Sequence, residues 1–250
     1  MKIWLKRIRV MVIILFFSFL PYVEITRPFN GIMLQHAKGN QDLLQLQSLK
    51  NADLLYKLII IPEKLTDTKS LSNMVNRINR IDRALLEMLV DQGVKVRLFE
   101  GKLTDEPLLY YLKWDQPRGW KRETTWENVP GSGGSWLVSA KIGASMPGKG
   151  HSSINLELHE IGHTVYHVLM NDPSYATKIQ HAWNKEVEFM FSGQDYFVNY
   201  PSEYFAEMFA YYYKNKRTNA IIKLKAPVTY ELFNEFSSIT FTNFDQIYLD

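Results

Sequence analysis

The sequence predicts an α+β fold, a small N-terminal αβ lobe with an edge strand over a mainly helical C-terminal lobe. Three observations carry that expectation. Residues 54–99 read as strand, helix, strand from the spacing of their apolar side chains. Residues 136–142 alternate apolar and polar behind a Gly-rich loop, as a strand does. From Ser153 to Phe236 the apolar positions recur mostly at helical period.

The N-terminus comes first. Lys2, Lys6, Arg7 and Arg9 precede an apolar run over residues 10–17 that continues through Ser18 to Leu20, the layout of a secretory leader. The run falls short of the roughly 20 residues a membrane span needs. No small-x-small cleavage site follows it, so a retained anchor is the alternative to a cleaved leader. Four of the 29 basic residues lie in this segment, which leaves 25 against 26 acidic ones, so the net charge of +3 belongs to the leader. A body with a charge of about −1 gives no electrostatic reason to expect a nucleic-acid partner. With no cysteine in the 250 residues there is neither a disulfide framework nor a lipid-attachment thiol. The apolar content of 46% suffices for one domain or two small lobes.

Residues 24–52 read as a linker running into a short helix around 43–49, and residues 54–62 as a buried strand ending in proline. Leu71, Met74, Val75, Ile78, Ile81, Leu85 and Met88 recur at helical spacing, with Gly93 placed to close the helix. Residues 94–99 alternate as a second strand. Residues 114–135 are loop, rich in Gly and Pro and holding Trp120 and Trp126. After the strand at 136–142 a second Gly-rich loop leads to Ser152 or Ser153 as the N-cap of a helix ending near Met170. Further helices are expected at about 174–190, 201–215 and 228–236.

The chemistry sits on the helix after that cap, in His159-Glu160-Ile161-Gly162-His163. Histidines four apart lie one turn apart on one face, so two imidazoles can reach one ion at about 2.0–2.1 Å. Glu160, rotated by about 100° from His159, can hold and deprotonate a water at that ion. The surrounding apolar residues, Ile154, Leu158 and Val165 among them, would bury both histidines, and burying them with a glutamate and no metal would be costly. A catalytic zinc needs a third protein ligand. His167 lies about 12 Å along the axis from His159 and is better read as a packed or supporting histidine. Glu203 and Glu207, one turn apart in an aromatic helix with no Lys or Arg until Lys214, repel unless something cationic lies between them. Glu203 is therefore the expected third ligand, and Glu207 the acceptor that orients a histidine. An oxyanion-stabilising phenol is also needed, and Tyr196, Tyr200 and Tyr204 are all available.

Together these residues resemble the catalytic domain of anthrax lethal factor and, more closely, the secreted bacterial Pro-Pro endopeptidases. The resemblance covers about 55–233 and is strongest from Trp120 onward. It rests on Gly148-Lys149-Gly150-His151, on 153–160, and on Tyr200-Pro201-Ser202-Glu203-Tyr204-Phe205-Ala206-Glu207. It implies a zincin-like metallopeptidase with one Zn2+ per chain on His159, His163 and Glu203, the base at Glu160 and the oxyanion donor at Tyr196. It also implies substrate contacts at Trp120, at Gly133, Gly134 and Ser135 as they enter the edge strand, and at Ser202. Some relatives carry an acid at Ser202, and the spacing from Trp120 to Trp126 is one residue short, which bears on sequence preference. The implied partner is a proline-rich peptide or protein, whose preformed polyproline segment lacks N–H donors and is held by stacking and shape. On this reading residues 1–30 are leader or anchor with linker, and 31–250 are the peptidase domain, divided into lobes at about 150. The same reading expects the protein to be secreted, to touch a membrane only if the leader is retained, and to be a monomer. The alternatives are a lethal-factor-like toxin protease acting on a host protein, and an inactive zinc-stabilised binding module.

Overall fold

The computed structural model describes residues 29–37, 49–117 and 124–239, with Ile8, Met11 and Val12. The rest of the expected leader, the helix expected around 43–49 (save Leu49), Trp120 and the last eleven residues lie outside the described part. A five-stranded sheet has the order β1-β2-β3-β5-β4, from β1 (Ile32–Met33), β2 (Ile59–Ile61), β3 (Lys95–Phe99), β4 (Gly131–Ser132) and β5 (Leu137–Lys141). The three inner strands are parallel, and β1 and β4 run antiparallel at the two edges.

Three expectations about this region are corrected. Residues 54–62 are not one strand: α1 (Ala52–Leu58) precedes β2, with Leu54, Leu55 and Leu58 on its buried side. A short apolar run cannot separate helix from strand by period alone. The single helix expected over 71–88 is two, α2 (Thr68–Ile78) and α3 (Arg83–Asp91), both feeding the same core. Buried Asn51 ties the break between them to α1, its amide donating to the carbonyls of Asn79 and Ile81. The strand at 136–142 is not the edge. β5 lies between β3 and β4, and Leu137 to Ala140 are all buried, Ser139 included. A parallel inner strand is covered on both faces, so its alternation marks no solvent side. The edge is β4.

The helical layer follows as α4 (Leu156–Met170), α5 (Pro173–Phe191), α6 (Asp195–Asn199), α7 (Pro201–Lys214), α8 (Lys216–Lys225) and α9 (Pro227–Asn234). Neither α6 nor α8 is expected from the sequence pattern. The N-cap of α4 is Asn155, whose side chain accepts from the Leu158 N–H, and not Ser152 or Ser153. The Ser153 hydroxyl instead bonds the Asn155 backbone. Prolines open α5, α7 and α9, where a missing N–H costs nothing. Helices α4 and α7 cross so closely that a Cβ on Gly162 would lie 2.8 Å from the Ala206 Cα. That crossing, sealed by Ile161, Phe205 and Phe209, brings the motif helix against the two glutamates. No described helix is long and apolar enough to cross a membrane.

Candidate metal centre

Helix α4 places the Nε2 atoms of His159 and His163 3.1 Å apart, with the rings edge to face. Across the crossing, Glu203 in the first turn of α7 sets Oε2 3.3 Å from each of them. Among the described residues these three side chains form a group able to hold a metal ion. The spacing tests the fit. Ligands at about 2.0–2.1 Å from a tetrahedral ion lie about 3.3 Å from one another, and these donor edges match that figure. Two imidazoles and a carboxylate also form a donor set suited to zinc.

Glu207, one turn on, completes the support. Its Oε2 lies 2.9 Å from His159 Nδ1, and its Oε1 accepts the Ile154 N–H at 2.8 Å. Lys214, in the last turn of α7, donates to the Ile154 carbonyl at 2.7 Å. Glu207 is thus fixed at both oxygens, and it accepts from the His159 Nδ1–H, which leaves Nε2 as the nitrogen that faces the centre. Burial pushes the His159 imidazole down, but the carboxylates of Glu203 and Glu207 overcome it and raise its pKa to about 10. Burial likewise pushes the Glu203 carboxyl up, and the two imidazoles reverse this and hold it well below the carboxylate range. Both shifts describe a pocket that favours positive charge between its donors.

Glu160 faces the same space from α4. Burial raises its carboxyl pKa, an effect partly offset by His159 and His163. A raised carboxylate near the centre is what a general base for water requires. Tyr196, on α6, packs edge-on against Phe197 and Tyr200 and lines the same cavity of about 940 Å³ as Glu160 and the three donors.

The wall opposite is β4 and the turn after it. A Cβ on Gly133 would fall 2.1 Å from the Glu160 carbonyl oxygen, so only glycine lets this wall lie against α4. Thr164, fully buried one residue past the second motif histidine, accepts the Gly134 N–H at 3.1 Å and donates to the Ser135 carbonyl at 3.0 Å. Gly133, Gly134 and Ser202 line the cavity. Ser135 lies just beyond that lining, where its hydroxyl bonds the Leu137 N–H and carbonyl. Trp120 lies outside the described residues, while Trp126 lines the cavity. His167 is exposed at the cavity wall and takes no part in the donor group, and burial lowers its pKa.

Sequence reasoning missed Thr164, Lys214 and His151. The His151 ring donates through Nε2 to the Ala144 carbonyl at 2.6 Å and shapes the loop at the cavity rim. None of the three belongs to a spaced pattern, because each acts through backbone groups elsewhere in the chain: Thr164 through Gly134 and Ser135, Lys214 through Ile154, and His151 through Ala144. The signal for Thr164 is only its place next to the motif.

The comparisons agree in direction. The family model described as "Anthrax toxin lethal factor, N- and C-terminal domain" matches residues 45–236. A Pro-Pro endopeptidase of Clostridioides difficile (strain 630) is 40% identical over 189 residues, covering 75% of this chain and 85% of that protein. A Pro-Pro endopeptidase of Paenibacillus alvei is 37% identical over 179 residues, covering 71% and 82%. The solved structure of the Pro-Pro endopeptidase PPEP-2 from Paenibacillus alvei is similar with a TM-score of 0.68 at 37% identity, covering 73% of this chain and 98% of that one.

Proposed function

The chain belongs to the anthrax lethal factor family, to which the Pro-Pro endopeptidases are its relatives, and on that premise we propose that it is a secreted zinc endopeptidase cutting between prolines. The observation that carries the zinc is the donor triangle of 3.1 and 3.3 Å edges, with Glu160 beside it. His159, His163 and Glu203 would hold one ion per chain, and Glu207 keeps the His159 lone pair aimed at it. Zinc bound there supplies Lewis acidity that polarises a carbonyl and makes water a stronger acid.

The chain's own groups supply the rest. Glu160 takes a proton from the attacking water and passes it to the departing nitrogen, which for a proline leaving group is a secondary amine that must be protonated to depart. The Tyr196 phenol donates to the oxyanion as the carbonyl becomes tetrahedral. The glycine wall at Gly133 and Gly134 offers shape and backbone in place of side chains, which suits a polyproline segment with no N–H to pair. Trp120 is proposed to stack on a substrate proline, and Ser202 to bear on which residues flank the cut. A leader of the secretory layout supports action on extracellular substrates.

Zinc-loaded protein and its Glu160→Ala form, incubated with peptides that carry Pro-Pro, Pro-Ala and Ala-Ala cores, test this. Cleavage of the Pro-Pro core by the parent alone is expected. Cleavage indifferent to proline would overturn the specificity, and zinc binding with no cleavage of any peptide or protein would overturn the activity.

A further inference from the structure

Residues 208–230 carry five basic side chains and no acidic one, in a body that otherwise sets 20 basic against 26 acidic residues outside the leader. The charge is concentrated on α8, Lys-Arg-Thr-Asn-Ala-Ile-Ile-Lys-Leu-Lys. At 100° per residue, Lys223, Lys216, Ala220, Leu224 and Arg217 fall within an arc of about 120°. All five are exposed, and Thr218, Ile222 and Ala226 are buried on the opposite side. Arg80, also exposed, donates to the carbonyl of Lys214, two residues before α8 begins, and so adds a positive charge near the start of that helix. Leu224 stands among these charges with 81% of its surface exposed, more than any other large apolar side chain described.

From this face we propose a docking surface for an anionic lipid bilayer. Positive charge alone would suit any polyanion. The exposed leucine inside it distinguishes the bilayer, because an apolar side chain ringed by lysines sits at the boundary between headgroups and acyl chains and has nothing to gain from a soluble polyanion. Near an anionic membrane each Lys or Arg strengthens binding by about fivefold. No residue of α8 lines the catalytic cavity, which takes its α7 contribution from Ser202 and Glu203 at the other end of that helix. The cleft can therefore stay open while the face is docked.

The absence of cysteine makes a direct test simple. In the full chain, Leu224→Cys takes a single environment-sensitive fluorophore, and Lys149→Cys on the cavity-side loop takes the same label as a control. Vesicles of phosphatidylcholine with phosphatidylglycerol should raise emission at position 224 about threefold, with little effect from phosphatidylcholine alone and none at position 149. Adding Lys216→Gln, Arg217→Gln and Lys223→Gln should raise the lipid needed for half the response by at least tenfold. Reporting at position 224 separates this face from any attachment through the leader. The proposal is overturned by a silent label at 224, by an equal response in the charge-depleted form, or by an equal response at 149. It is also overturned if soluble polyglutamate gives the response at 224 that vesicles give, which would assign the face to a soluble polyanion.

Discussion

Glu207 shows how much one side chain outside the donor triangle can decide. Two donors, the buried His159 Nδ1–H and the half-buried Ile154 N–H, each need an acceptor, and a carboxylate has two. Glutamine keeps the size but has one acceptor, so one donor is left unpaired or the ring rotates. Glu207→Gln is expected to weaken zinc binding by about 10–100-fold, read by competition with a chelator, while secondary structure stays as in the parent. A variant that binds zinc as tightly as the parent would remove Glu207 from the site. At this scale the histidines were legible because helical spacing alone brings them together. Glu203 and Glu207 were legible from an apolar setting that makes two unpaired carboxylates costly. Tyr196 could not be told from Tyr200 or Tyr204 by the residues, since the choice depends on which ring faces the cavity.

The element that shapes the cleft is the turn from β4 to β5, and Thr164 clamps it to α4. Thr164→Val keeps the shape and removes both hydrogen bonds, each worth about 1 kcal/mol. The wall should then loosen over the cleft without disturbing the donors. Loss of that kind weakens substrate and transition state alike, so KM should rise about tenfold with kcat within about threefold of the parent. Thr164→Ser should restore KM. Unchanged KM, or loss of zinc, would show the clamp does something else. Zinc content and hydrogen exchange at the Gly134 amide read the clamp even where no peptide is cut. Helices α4, α5, α7 and α9 were legible from apolar period, yet the break between α2 and α3 was hidden because both halves face one core. The N-cap of α4 was misplaced for a related reason: Asn155 and the serines before it are all good caps, and the choice lies in which side chain meets the Leu158 N–H.

Across the whole molecule, the sheet side and the helical side meet through groups far apart in sequence. Arg77 on α2 donates to buried Glu157 at the start of the motif helix at 2.5 Å and to Ser145 at 2.8 Å. The Tyr213 hydroxyl on α7 donates to Asp82, the residue before α3, at 2.7 Å. Such pairings span 68 to 131 residues and leave no local mark, which is why composition and period foretold the layers and not what ties them together. The tyrosine bond makes a pH prediction. Burial, then the nearby Asp82 carboxylate, push the Tyr213 phenol well above its ordinary value of 10. In the unfolded chain the phenol loses its proton near pH 10, whereas in the folded protein it keeps it. Its contribution is therefore fully present below pH 10 and is lost as pH rises past that value. Tyr213→Phe should cost about 1.5–3 kcal/mol at pH 8, since the bond goes to a charged acceptor. The gap between parent and variant should narrow by about 1.4 kcal/mol by pH 11. Urea unfolding of both forms at pH 8, 10 and 11 measures it, and a gap that stays constant across that range would mean the hydroxyl carries no folding-linked proton.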